Sequence, residues 1–129
     1  MTACLDAWAV IAWLEDDPAA AGMEQHIGSA RCCMSWVNAG EVHCVVHRRT
    51  DRRTADGVIS QLRADVDLVD ATGSRALAAA AIGASHRMSY ADCFAVATAM
   101  EFGVPLITRD AEIASAGIEG LEVIDLAGG

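Results

Sequence analysis

Lysine is absent from this 129-residue sequence: all nine basic residues are arginine, set against 18 acids for a formal net charge of −9. Such a balance excludes a general nucleic-acid coat, so any polyanion the chain handles must be held by metal ions or by a local basic patch. No apolar run suits a membrane span or a signal peptide. The first long one, "AWAVIAWL" at residues 7–14, follows Asp6 and has no basic segment before it. The expectation is a cytoplasmic protein. Its odd number of cysteines, at positions 4, 32, 33, 44 and 93, is then read as reduced thiols. Repeats and low-complexity segments are also missing. Aromatics amount to only 5% of a chain that is 53% hydrophobic, which matches one compact domain over residues 1–129 and leaves too little length for two.

What is present is an alternation of short β-like runs with helical ones. Strands are expected at "TACLD" (2–6), "ARCCM" (30–34), "VDLV" (66–69), "VPLIT" (104–108) and "LEVID" (121–125). Helices are expected at about 7–15, 18–27, 36–48, 52–64, 74–86, 90–102 and 110–116. Their ends carry boundary signals: Pro18 in a first turn, Asn38 three before Glu41, Ser89 three before Asp92, and Gly103 after a helix. The pattern reads as a three-layer α/β/α domain with a central, mostly parallel five-stranded sheet.

In such a sheet, ligands lie outside the carboxyl ends of the strands where the strand order reverses. Asp6 ends the first strand and Asp110 lies just past the fourth. If those strands are neighbours, both carboxylates face one crevice. Glu41 and Asp92 could join them from helix starts, although acids in a first turn also serve as caps and dipole partners whatever the protein does. "HCVVH" at residues 43–47 invites a zinc reading, but four well-spaced ligands are lacking and buried structural cysteines are commoner.

"LDAWAVIAWL", "NAGEVHCVV" and "SYADCFAVATAMEFGVPLITRDAEI" together resemble the PIN-domain nucleases, most closely the VapC toxins of bacterial toxin–antitoxin pairs. The resemblance implies a Mg2+- or Mn2+-dependent ribonuclease with an RNA substrate, a cognate antitoxin covering the active site, and a homodimer. Asp6, Glu41, Asp92 and Asp110 look like the family's metal-holding quartet, and Thr108 like its supporting hydroxyl. Trp8 departs from relatives that often carry serine or threonine there. Carboxylates suit the chemistry because hard cations prefer oxygen ligands and phosphodiester hydrolysis needs its anionic charge offset. For RNA contact, "HRRTDRRT" at residues 47–54 supplies Arg48, Arg49, Arg52 and Arg53, with a solvated helix end as the competing reading. Two alternatives remain: a housekeeping PIN nuclease without antitoxin, and a receiver-like signalling module. The missing lysine counts against the second, because receivers resemble one another in using a lysine near the phosphoacceptor.

Overall fold

A computed structural model of the chain describes residues 1–23 and 31–126. Five strands, β1 (Cys4–Leu5), β2 (Cys33–Ser35), β3 (Asp67–Val69), β4 (Leu106–Thr108) and β5 (Val123–Asp125), form one sheet in the order β3-β2-β1-β4-β5. Every neighbouring pair is parallel. Parallel strands need crossovers on the sheet faces, and helices supply them. Among the described residues these are α1 (Ala7–Leu14), α2 (Trp36–Arg49), α3 (Arg52–Asp65), α4 (Gly73–Ser85), α5 (Tyr90–Phe102) and α6 (Ala111–Ser115).

Side-chain alternation along the strands divides the core into two layers. Leu5, Met34 and Ile107 face the cluster built with Val10, Val42 and Leu62 of α1, α2 and α3. Cys4, Cys33 and Leu106 face the opposite cluster, built with Val96 and Ala99 of α5 and Ile113 of α6. The expected three layers are therefore present, with an all-parallel sheet.

Local chemistry sets the helix ends. Gly103 stops α5 in the left-handed region, at φ 62° and ψ 35°, where its N–H reaches the carbonyls of Ala99 and Met100. Ser35 caps α2, its side chain accepting from the Val37 N–H, so Asn38 is an interior helix residue and not the cap its sequence context suggests. After Pro18 the structure has a short 3-10 turn, Pro18–Ala20, and residues 24–27 of the expected 18–27 helix lie outside the described residues, as does Ala30 of the expected second strand. No described helix is long and apolar enough to cross a membrane.

Candidate active site

Strands β1 and β4 are hydrogen-bonded neighbours, with Leu5 opposite Ile107, so the strand order reverses between them and their carboxyl ends open on one crevice. Asp6, 1% exposed, leaves β1 there. Its Oδ1 accepts from the Ala9 N–H at 2.8 Å, capping α1, and its Oδ2 accepts from the hydroxyl of Thr108 at the end of β4. The same Thr108 oxygen accepts from the Asp110 N–H at 2.8 Å, and Asp110 in turn caps α6 by accepting from the Glu112 N–H at 2.9 Å. One buried hydroxyl thus ties the ends of two strands together.

The helices bring the remaining acids. Asp92, the third residue of α5 and 4% exposed, donates its N–H to the cap Ser89 at 3.1 Å. Its carboxylate lies with those of Asp110 and Glu112, all three offering oxygens within 4.8 Å of one another. Glu41, the sixth residue of α2, accepts from Asn38 Nδ2 at 3.1 Å. Because Ser35 is the cap, Glu41 stands past the first turn and a capping role does not explain it.

Burial and mutual repulsion hold protons on this cluster. Burial first of all raises Asp6 from 3.8 to about 7, with the Asp110 and Glu41 charges adding to it and the bonds from Thr108 and Ala9 opposing it. Asp92 is pushed up to about 8 by burial, by its hydrogen bond with Asp110, and by the charges of Asp110, Glu41 and Asp6. Glu41 is raised by burial, with the Asn38 bond pulling the other way. Carboxylates this close cannot all ionise without a cation among them. Among the described residues, the one group able to hold a metal consists of carboxylates, without histidine or cysteine. An all-oxygen set fits a hard divalent cation.

The family model for the PIN domain matches residues 3–119. The chain belongs to the PIN-domain family. Solved structures agree in fold with this PIN domain over nearly its full length. A DNA-bound VapBC complex from Salmonella typhimurium has 15% identity over 98% of this chain and 99% of that one, with a TM-score of 0.76. VapC20 of Mycobacterium tuberculosis, described as a sarcin-ricin loop cleaving toxin, has 18% identity over 94% and 99%, with a TM-score of 0.73. A toxin–antitoxin complex from Klebsiella pneumoniae has 19% identity over 97% and 98%, with a TM-score of 0.72. No curated protein sequence matches the chain.

Within this PIN domain, Asp6, Thr108, Asp110, Asp92 and Glu41 gather at the carboxyl edge of the sheet. The sequence reading missed Glu112; its signal was an acid two residues after Asp110 at a helix start. The four arginines sit apart, around the corner joining α2 to α3. Arg48 is seven residues beyond Glu41, about 10 Å along the helix axis. It donates to Cys44 Sγ at 3.6 Å, while Arg49 pairs with Glu15, Arg52 stands 3.9 Å from Asp56, and Arg53 is exposed. His43 bonds Asp56 at 2.8 Å, and His47 packs edge-on to His43. Cys44 is exposed, and the other four cysteines are buried. Trp8 is 38% exposed, whereas Trp13 packs against the core.

Proposed function

We propose that this PIN domain is a metal-dependent endoribonuclease of the VapC type, a toxin restrained by a cognate VapB-type antitoxin. The observation that carries the reading is the convergence of Asp92, Asp110 and Glu112 beside the Asp6–Thr108 link. Asp92, Asp110 and Glu112 would hold Mg2+ or Mn2+, with Asp6 and Glu41 completing the negative surround. Such a cation neutralises phosphodiester charge and acidifies water at the site. A carboxylate that is not bound to the cation would accept that water's proton. Thr108 keeps Asp6 and the Asp110 backbone in register, leaving Asp110 free to turn its carboxylate to the site.

Three supports for partners lie outside the acids. The arginines clustered at the α2–α3 corner would meet RNA phosphates. Between α1 and the α2–α3 pair run two adjoining apolar hollows of about 300 and 310 Å3, sharing Leu14, Thr54 and Val58, which suit an apolar antitoxin segment. The alanine-rich α4 exposes Leu77 at 74%, and the pairing of two copies that the resemblance implies would be sought first on that face. The solved relatives named above include toxin–antitoxin complexes and one toxin described as cleaving the sarcin-ricin loop, so structured RNA is the substrate class to try first.

The test is cleavage of RNA by the purified protein with Mg2+ or Mn2+ and with chelator, beside Asp92→Asn. Metal-dependent cleavage that falls by at least about 10–100-fold in the folded variant is expected, the range that even an outer partner of a metal ligand contributes. Undiminished cleavage by Asp92→Asn would remove Asp92 from the site.

A further inference from the structure

Across the carboxyl edge of the sheet, a buried side chain links the two helical layers by hydrogen bonds. Asn38 lies in α2, on the face of the sheet that packs α1, α2 and α3, and is fully buried. Its Nδ2 donates to Glu41 Oε1 at 3.1 Å and to the main-chain carbonyl of Ala91, in the opposite layer, at 2.9 Å. A carbonyl oxygen has no proton to give and an ionised carboxylate has none either, so only the NH2 end of the amide can face the pair. Chemistry therefore fixes the orientation of the side chain. Asn38 Oδ1 is buried and has no hydrogen-bond partner among the described residues.

Helix stability does not account for this arrangement. Asparagine is a weaker helix former than alanine or leucine, and the helix already has its cap in Ser35. A buried oxygen without a partner is a further cost that an apolar residue would avoid. What the amide achieves is a link. Glu41 is three residues along its own helix, and Ala91 is the residue immediately before Asp92.

We propose that Asn38 is a positioning residue for the acidic site: its amide fixes the Glu41 carboxylate and, through Ala91, the backbone that carries Asp92. Acids from the two helical layers then enter the site at a set separation before any cation arrives. Repulsion between Glu41 and Asp92 would otherwise drive the helix starts apart. The inference rests on the nuclease reading above.

Asn38→Ala and Asn38→Asp are compared with Glu41→Gln as reference. Three quantities are measured: Mn2+ affinity by calorimetric titration, melting temperature in chelator, and kcat and KM for RNA. Outer partners of metal ligands typically contribute 10–100-fold to affinity or activity. Asn38→Ala is accordingly expected to bind Mn2+ at least about tenfold more weakly and to lose kcat at unchanged KM, with partial recovery at high Mn2+. Asn38→Asp, which removes both donors and adds a charge, should lose more. If Asn38→Ala melts lower but keeps the Mn2+ affinity and kcat of the unsubstituted protein while Glu41→Gln is impaired, Asn38 is structural only and the proposal is overturned. If Glu41→Gln is itself unimpaired, Glu41 is no part of a site, and the role given to Asn38 falls with it. A second measurement needs no substitution at position 38. The side-chain amide resonances of Asn38 should move on Glu41→Gln and on Mg2+ addition, and resonances that stay still under both overturn the proposal.

Discussion

Asp6→Asn separates a site acid from a structural one, because it removes a charge at nearly constant shape. Burial raises the Asp6 carboxyl from its ordinary 3.8 to about 7 in the folded protein. At about 1.4 kcal/mol for each tenfold change in proton affinity, the ionised form destabilises the metal-free fold by about 4 kcal/mol. The sign is fixed by linkage: the folded state binds the proton more tightly than the unfolded chain. Stability is therefore fully present below pH 3.8 and is lost as pH rises through about 7. Between pH 5 and pH 8 the loss from this one group is roughly 2.5 kcal/mol.

The substitution retains what is structural about the position. Asparagine caps a helix about as well as aspartate, so the bond from the Ala9 N–H survives. The Thr108 hydroxyl loses its acceptor, which costs about 1 kcal/mol. Asp6→Asn should thus be more stable than the unsubstituted protein by roughly 3 kcal/mol at pH 8 in chelator, and its stability should fall less steeply with pH. It should also gain less from added Mn2+, since a cation that binds only the folded state stabilises it by mass action. Urea unfolding at pH 5, 6.5 and 8, with chelator and with a Mn2+ series, measures all three. A variant less stable at pH 8 without metal, or one with the unsubstituted pH slope and Mn2+ response, refutes the reasoning.

Thr108→Val should destabilise the fold by about 1–3 kcal/mol, because Asp6 Oδ2 and the Asp110 N–H both lose a buried partner; Thr108→Ser should restore most of it in the same unfolding assay. Replacing Arg48, Arg49, Arg52 and Arg53 by alanine should weaken RNA binding and flatten its log–log salt dependence by about one unit for each phosphate these side chains neutralise. Stability should stay within about 1 kcal/mol, since the pairs these arginines make are solvent-exposed. An unchanged salt slope would assign the arginines to a solvated corner. Leu77→Glu should convert a dimer to a monomer in light scattering, and a dimer that persists would move the pairing surface elsewhere than α4.

Strand and helix positions were legible because short apolar runs and helical periodicity follow from burial on two sheet faces. The juxtaposition of Asp6 with Asp110 was legible through the topology: a parallel sheet with its reversal between β1 and β4 brings those strand ends together. What failed was the reading of Asn38 as the cap of its helix. Asparagine is a good cap in isolation, but Ser35 caps this helix and the Asn38 amide donates to the Ala91 carbonyl, 53 residues away, a contact that no local pattern announces. Glu112 escaped notice for a related reason. An acid in a first helical turn has a sufficient local explanation, and only the approach of α5 places Asp92 beside it. The exposure of Trp8 was not legible either, because a helix as short and uniformly apolar as α1 does not declare which side faces water.

The pairing of β1 with β4 also has a consequence in time. Cys4 lies opposite Leu106 and Asp6 is held by Thr108, a separation of 102 residues. A chain emerging from the ribosome folds what it can as it is made, and contacts this distant in sequence form last. Until β4 has left the exit tunnel, β1 has only β2 beside it, Asp6 lacks Thr108, and Asp110 and Glu112 have yet to arrive. A growing chain of this protein would therefore be without its complete acidic cluster until β4 had docked against β1, and a cell translating the message would meet the nuclease only after that late step.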